Sequence, residues 1–392
     1  MPKIARCSAT VINDSRGEPT IEATLVSEGG ESVKASVPQG KSKGSYEAAS
    51  LDAASAVHSI TETIAPALLG YDPTDQEKID RVMCDLDGAP AKSRLGGNAI
   101  LAVSIAAARL GASARGIPLW RHLRNQVQVP TGAKFPRLFV NVINGGLHAK
   151  NNLDFQEYLV IPRAEGMAEA MDFSKRIYAE TKAILEERGG GDAPVGDEGG
   201  FMPRFKSNEE PFEILTEALS RMEGKGAADF GLDAAASNVH MERDKLFSFY
   251  EGLIEKHHLM YLEDPFSEDD FDSFAEFNKR FGAKTYITGD DLTVTNIARM
   301  RRAHERGSVG GVIIKPNQVG TVTEAIAAVR QAREWGWYVV VSHRSGETMD
   351  DFIADFAYGV GADGFKLGAP MPPERMAKYN RLLAIEKETR NL

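Results

Sequence analysis

Six short apolar segments in the second half of the chain each end on a residue that can do chemistry. Phe230-Gly231-Leu232 ends in Asp233, Met260-Tyr261-Leu262 in Glu263-Asp264-Pro265, and residues 285–288 lead to Asp290. Residues 312–314 deliver Lys315, residues 338–341 lead into Ser342-His343-Arg344-Ser345, and Gly364-Phe365 ends in Lys366. With His343 marking the fifth ending, successive endings lie 30, 27, 25, 28 and 23 residues apart. Each interval suits one strand–helix unit. One charged strand end is usually a solvated cap. Six in series are what a parallel (β/α) barrel gathers at its C-terminal mouth. Carboxylates there offer oxygen ligands to a hard cation. A lysine desolvated beside that cation can lose its proton and act as a base.

The chain has 392 residues, room for a barrel and a further domain. Its net charge of −10 provides no basic field for nucleic acid or anionic lipid. An anionic substrate must be met by local lysine, arginine or metal charge. Cys7 and Cys84 are the two cysteines and form no disulfide framework or metal-ligand spacing. The start, Met1-Pro2-Lys3-Ile4-Ala5-Arg6, lacks a signal-peptide pattern. No run approaches the ~18 apolar residues of a membrane span. Together these predict a cytoplasmic protein.

Residues 3–13, 20–28 and 31–37 alternate as three strands of a meander, with turns at Gly17-Glu18-Pro19 and Gly29-Gly30. A glycine-bearing loop spans 38–44, and helical periodicity covers 46–69, 74–86 and 98–115. This β-then-α unit differs from the alternation that follows. The aperiodic stretch 125–134 marks a boundary, dividing the chain into 1–130 and 131–392. Residues 137–143 and 155–161 read as the first two barrel strands, followed by a long helix over 167–188. These two and the six above make eight.

Gly40-Lys41-Ser42 ends like a phosphate-binding loop, but Ala35 stands where that motif needs glycine. A flap with glycine hinges, whose serine can reach a metal, suits it better. Gly196-Asp197-Glu198-Gly199-Gly200 is either a surface turn or a carboxyl group held over the mouth. Of Gln156-Glu157, strand alternation predicts that only one faces the mouth. His148 is a loop histidine. His343 sits beside Arg344, which can grip a phosphate bidentately, and Ser345, which adds a donor.

In these strings the chain resembles the enolase family over nearly its whole length. The matches are Ser15-Arg16-Gly17, Asn144-Gly145-Gly146 with His148-Ala149, Gln156-Glu157, Gly196 to Gly200, Asp233, Glu263-Asp264-Pro265 and Asp290 to Asn296. They continue through Lys315, Ser342 to Thr348, Lys366 and Ala377-Lys378-Tyr379-Asn380. The resemblance implies an α/β fold: a modified TIM-type (β/α)8 barrel, its first units irregular, with an α+β N-terminal capping domain. It implies interconversion of 2-phosphoglycerate and phosphoenolpyruvate through an Mg²⁺-stabilised enolate, and a homodimer or higher homo-oligomer.

By the same resemblance, Asp233, Glu263 and Asp290 hold one Mg²⁺, and Ser42 helps hold a second. Lys315 removes the C2 proton. Glu198, supported by Glu157, protonates the leaving hydroxyl. Lys366 binds the substrate carboxylate, and Arg344 and Ser345 bind its phosphate. Gln156 contacts substrate, and His148 and His343 line the pocket, with His148 also counted in the catalytic set. Lys315 is expected to have a lowered pKa beside the cation, and Glu198 a raised one beside Glu157. The departures are the flap Gln39-Gly40-Lys41-Ser42-Lys43-Gly44 in place of Ser-Gly-Ala-Ser-Thr-Gly, Pro316, Leu367 in place of threonine, Met371-Pro372-Pro373, and a short stretch from Asp233 to Glu263. Two readings stand: a divergent glycolytic enolase, or a paralogue for a phospho- or phosphono-substrate, such as carboxyphosphonoenolpyruvate synthase.

Overall fold

Alternating apolar and polar residues build the first sheet. Strands β1 (Ile4–Asn13), β2 (Pro19–Ser27) and β3 (Ser32–Ser36) pair antiparallel in that order. In the computed structural model, which describes residues 2–41, 44–128, 134–189, 192–222 and 228–390, the Gly97–Ala114 helix covers this sheet. That helix is long and apolar enough to cross a membrane, contrary to the expectation from the sequence, but almost all of it is buried in the fold. Its alanines permit close approach to β2 and β3.

The expected helix over 46–69 is a second correction. It begins at Ala53, where Asp52 accepts a hydrogen bond from the Ser55 amide, and passes through a π-helical turn at Ser59–Ile64. Residues 46–51 are held outside it by contacts to the barrel described below. Helices Gln76–Asp87, Leu119–Val127 and Met167–Gly189 run close to expectation where one was made. The sequence boundary between 130 and 131 lies outside the described residues.

The barrel is closed, with spatial order β10-β11-β4-β5-β6-β7-β8-β9. Its strands are β4 (Arg137–Asn144), β5 (Glu157–Pro162), β6 (Ala228–Asp233), β7 (Leu259–Glu263), β8 (Tyr286–Gly289), β9 (Gly311–Ile314), β10 (Tyr338–Ser342) and β11 (Gly364–Gly368). Strand β5 is antiparallel to both neighbours, and every other pair is parallel. The connection 145–156 holds only a short 3₁₀ turn, so it can close a hairpin but not a parallel crossover. Two helices, Met167–Gly189 and Glu210–Arg221, then return the chain to β6, and the glycine-rich segment 196–200 lies between them. Phe201 bridges Ile143, which brings that segment to the mouth end of β4.

The barrel interior below the mouth is filled by Phe139, Leu159, Ile161, Tyr261, Ile313 and Val340. At the opposite end Arg137 donates to the Ile161 carbonyl at 2.9 Å and pairs with Asp229 at 2.6 Å. Burial would raise the Asp229 carboxyl, but Arg163 and Arg137 outweigh it and hold it below its usual value. A depressed folded-state pKa stabilises above the unfolded value of about 3.9, and that stability is lost as pH falls through the folded value. Asp229→Asn should therefore lower the melting temperature at neutral pH, and the gap to wild type should narrow as pH falls below about 3.9 and close below the folded-state value. Melting curves across pH test this; a gap that persists unchanged in acid would refute it.

Candidate active site

Strands β6, β7 and β11 bring Asp233, Glu263 and Lys366 together at the mouth, all buried. Lys366 Nζ lies 2.7 Å from Asp233 Oδ2, 3.0 Å from Glu263 Oε2 and 3.4 Å from Glu157 Oε1. Burial favours the neutral amine, but Asp233, Glu157 and Glu263 together outweigh it and hold Lys366 firmly as ammonium. Burial and Asp233 push the Glu263 carboxyl up to about 8, against Lys366. The Tyr261 hydroxyl donates to Glu263 Oε2 at 2.7 Å, joining the apolar floor to the charged mouth.

Asp290 and Lys315 form a second centre. Their carboxylate and ammonium are in direct contact, and Gln318 Nε2 donates to Asp290 Oδ1 at 2.9 Å. Thr295 Oγ1 donates to Gln318 Oε1 at 2.7 Å and accepts from the Lys315 amide at 2.9 Å. The backbone that arranges this is strained. Ala235, Asp264, Val294 and Thr295 follow the acidic strand ends with φ of 42°, 41°, 42° and 56°. For β-branched Val294 and Thr295 such values are outliers. Burial lowers Lys315, but contact with Asp290 prevails and the ammonium is held above its usual value; the expected lowering was for this lysine beside a bound cation.

The acid pair lies across the mouth. Glu198 Oε2 accepts from Asn141 Nδ2 at 3.0 Å and stands 3.7 Å from His343 Nε2. His148 Nδ1 lies 3.6 Å from both Glu198 Oε1 and Glu157 Oε1. His148 is thus buried between two carboxylates rather than solvated. Burial pushes the Glu198 carboxyl up, but His148 and Arg375 prevail and hold it well below its usual value. Burial and the Glu198 charge push Glu157 well above. The expectation of a raised Glu198 is therefore reversed: Glu157 carries the shared proton. Burial and Arg375 keep His343 well below its usual value, so it offers Glu198 a neutral ring.

Gln156 and Glu157 both face the site. Gln156 Nε2 donates to Asp233 Oδ2 at 3.1 Å. The residue precedes the strand proper, where its amide bonds the Asp233 carbonyl at 3.0 Å, so strand alternation does not govern it. Because β5 runs backwards, its first residues, not its last, lie at the mouth.

Arg344 and Ser345 sit in the loop after β10. The Arg344 guanidinium grips Glu47 at 2.9 and 3.1 Å and reaches Asn317 Oδ1 at 3.1 Å. Glu47 was missed in the sequence because the Ala-rich run around it reads as continuous helix. The buried Arg375 guanidinium donates to the Arg344 and Ser345 carbonyls, each at 2.7 Å. Of the flap, Ser42, the expected second-metal ligand, and Lys43 lie outside the described residues. Gln39 and Gly346 exchange two backbone hydrogen bonds of 2.8 Å, and the Lys41 amide donates to Ser345 Oγ at 2.8 Å.

The family models "Enolase, N-terminal domain" and "Enolase, C-terminal TIM barrel domain" match residues 4–123 and residues 133–249 with 238–391. The chain is 43% identical to "Enolase" of Methanopyrus kandleri, over 99% of this chain and 96% of that protein. It is 40% identical to "Enolase 1" of Methylococcus capsulatus, over 98% and 97%.

The chain belongs to the enolase family.

It is accordingly a hydro-lyase, and the structure shows how its departures from the enolase pattern are accommodated. Pro316 opens the short Pro316–Val319 helix after Lys315, where proline's missing N–H is not needed. Leu367 is buried beside Lys366 in β11. Pro372 packs against Gly199 of the acid loop.

Close approach also explains the glycines around Glu198. A Cβ on Gly200 would meet Asn144 Oδ1 at 2.4 Å and Asn141 Oδ1 at 3.1 Å. Gly200→Ala should cost about 1–3 kcal/mol by overpacking. Gly252→Ala, at an exposed position of the Arg243–His257 helix with no described atom within 4 Å of the new Cβ, should gain ~0.5–1 kcal/mol. Denaturant midpoints compare the two; equal effects would sink the packing account.

Proposed function

We propose that the protein dehydrates 2-phosphoglycerate to phosphoenolpyruvate and catalyses the reverse hydration. The observation that carries this is the division of the mouth into two centres: a lysine at Asp290 on one wall and a proton-sharing glutamate pair on the other. Family membership supports it.

The donor set suits Mg²⁺. Asp233, Glu263 and Asp290 are buried carboxylates supplied by adjacent strands, and among the described residues Gln156 Oε1 and Glu157 Oε2 have no hydrogen-bond partner. Such oxygen donors suit a hard cation. We assign Asp233, Glu263 and Asp290 to one Mg²⁺ and Ser42 to a second. When bound, the metal supplies positive charge for the second negative charge that C2 deprotonation places on the substrate carboxylate.

The protein's own groups do the rest. Lys315 takes the C2 proton on its Nζ once it is neutral. Lys366 stays charged and pairs with the substrate carboxylate. Glu157 and Glu198 share the proton that the departing C3 hydroxyl needs, with His148 and His343 fixing their orientation. Arg344 holds the phosphate in place of Glu47, and the Ser345 hydroxyl can donate to it while still accepting from Lys41. Enolase-superfamily sites with lysine bases and Mg²⁺ are a known pattern, and these assignments follow it. The phosphono-substrate reading has no support from the comparisons. The Lys41 charge that motivated it is met by Asp197 at 3.2 Å. The family reading also carries a homodimer, which light scattering checks.

The test is the rise of phosphoenolpyruvate absorbance from 2-phosphoglycerate. Turnover of ~1–10³ per second is expected with Mg²⁺, none after chelation, and recovery on adding Mg²⁺ back. No product at saturating Mg²⁺ would overturn the proposal. Lys315→Ala should abolish turnover while calorimetry still detects Mg²⁺ binding. Substantial residual activity in that variant would remove Lys315 from the role of base.

A further inference from the structure

The flap meets the acid loop through a contact that the site as described does not use. Lys41 Nζ lies 3.2 Å from Asp197 Oδ2, with the two side chains 44% and 36% exposed. Lys41 is one of the two lysines that depart from the family's flap, where the resemblance places alanine. Asp197 directly precedes Glu198. We propose that Lys41 is a positioning residue whose ion pair with Asp197 latches the flap onto the loop that carries Glu198.

Both ends of the latch stand on fixed backbone. On the flap side, Gln39 and Gly346 exchange their two hydrogen bonds, and the Lys41 amide is held by Ser345 Oγ at 2.8 Å. The Lys41 side chain is therefore launched from a point pinned to the loop that carries Arg344. On the other side the acid loop is closed on itself: the Gly196 amide donates to the Gly200 carbonyl at 2.8 Å and the Gly199 amide to the Gly196 carbonyl at 2.9 Å. The Tyr178 hydroxyl donates to the Gly199 carbonyl at 2.5 Å, and the Ala369 amide to the Glu198 carbonyl at 2.9 Å. Neither loop can drift toward the other freely, so the ion pair reports and favours one relative placement. That placement joins the loop bearing Arg344 and Ser345, the flap, and the loop bearing Glu198 across the mouth.

An exposed pair of this kind biases a conformational equilibrium by no more than about five-fold, and salt weakens it. The latch therefore tunes closure and does not enforce it. Its electrostatic origin separates it from a packing effect. Lys41→Ala should speed amide exchange at Gln39 and Lys41 about two- to five-fold in the substrate-free protein, and Lys41→Arg should restore the wild-type rate. Asp197→Asn should match Lys41→Ala, and the double variant should be no faster than either single one. The swap Lys41→Asp with Asp197→Lys should recover most of the protection. At about 0.5 M NaCl, where the screening length is only a few ångströms, wild type should approach Lys41→Ala, and Lys41→Ala itself should not change.

The kinetic arm rests on the 2-phosphoglycerate reading. There KM should rise by the same factor in Lys41→Ala, with kcat unchanged or higher. The exchange arm does not depend on that reading, so a protein inactive on 2-phosphoglycerate would refute the substrate and leave the latch to be judged by exchange. Additive effects of the two single variants on exchange, or salt-independent protection in wild type, would overturn the latch.

Discussion

Four carboxylates cannot share a dry barrel mouth unless cations stand among them. Here the Lys366 ammonium contacts Asp233 and Glu263 and lies 3.4 Å from Glu157, while Lys315 answers Asp290. Removing one partner from such a buried set typically costs about 3–5 kcal/mol, because the uncompensated charge remains. The rest of the site is arranged around that constraint. Tyr261 ties Glu263 to the apolar floor, Gln156 joins Lys366 on Asp233 Oδ2, Gln318 bonds the Asp290 oxygen that Lys315 leaves, and left-handed turns bring the chain sharply back after β6, β7 and β8. The proton that cannot be avoided is shared by Glu157 and Glu198, the carboxylates nearest His148.

The N-terminal domain is part of this arrangement as well as its cover. Asp80 accepts from the Thr323 amide and hydroxyl at 3.0 and 2.6 Å, and Ser104 Oγ accepts from the Val322 amide at 3.0 Å, so a barrel helix starts on N-terminal-domain side chains. Arg109 grips Asp350 at 2.7 and 2.8 Å. On the far side of the flap, Ser45 and Tyr46 bond Glu268 and Asp269, with the Arg299 guanidinium 3.8 Å from the Tyr46 ring centre. Glu47 then reaches Arg344 itself. The capping domain thereby supplies a counter-charge within the candidate phosphate site.

The parallel part of the barrel was legible because each strand there ends where the chemistry is, so Asp233, Glu263, Asp290, Lys315 and Lys366 stand out at regular intervals. Strand β5 breaks that logic. Its reversal puts Glu157 first at the mouth, and neither alternation nor spacing reveals it without knowing the direction of the strand. Glu47 was hidden for a different reason: its neighbours favour helix, and long-range bonds hold residues 46–51 out of one, from Tyr46 to Asp269, Glu47 to Arg344, the Ala48 amide to the Gln318 carbonyl and Leu51 to Asn98. The reversed protonation preference of Glu198 and the hold of Asp290 on the Lys315 ammonium are tertiary in the same way. Which carboxyl keeps a proton is decided by ångström-scale contacts to His148, His343 and Asp290, and none of these is near in sequence. The resemblance proposed these residues; it did not specify their charge states.

Arg375 and Lys378 project from the Pro373–Arg390 helix to hold the carbonyls of Arg344, Ser345 and Thr348. Strand β11 also closes the barrel between β10 and β4. During synthesis, then, the residues on β4 to β10 leave the ribosome before the two elements that join them into a ring and set the Arg344 loop. Until the segment through Lys378 has emerged, the nascent chain exposes β4 and β10 as unpaired strand edges, bearing the apolar side chains of the barrel interior. The interval between β10 and that helix is when this chain is most open to mispairing, and most in need of a chaperone or of speed.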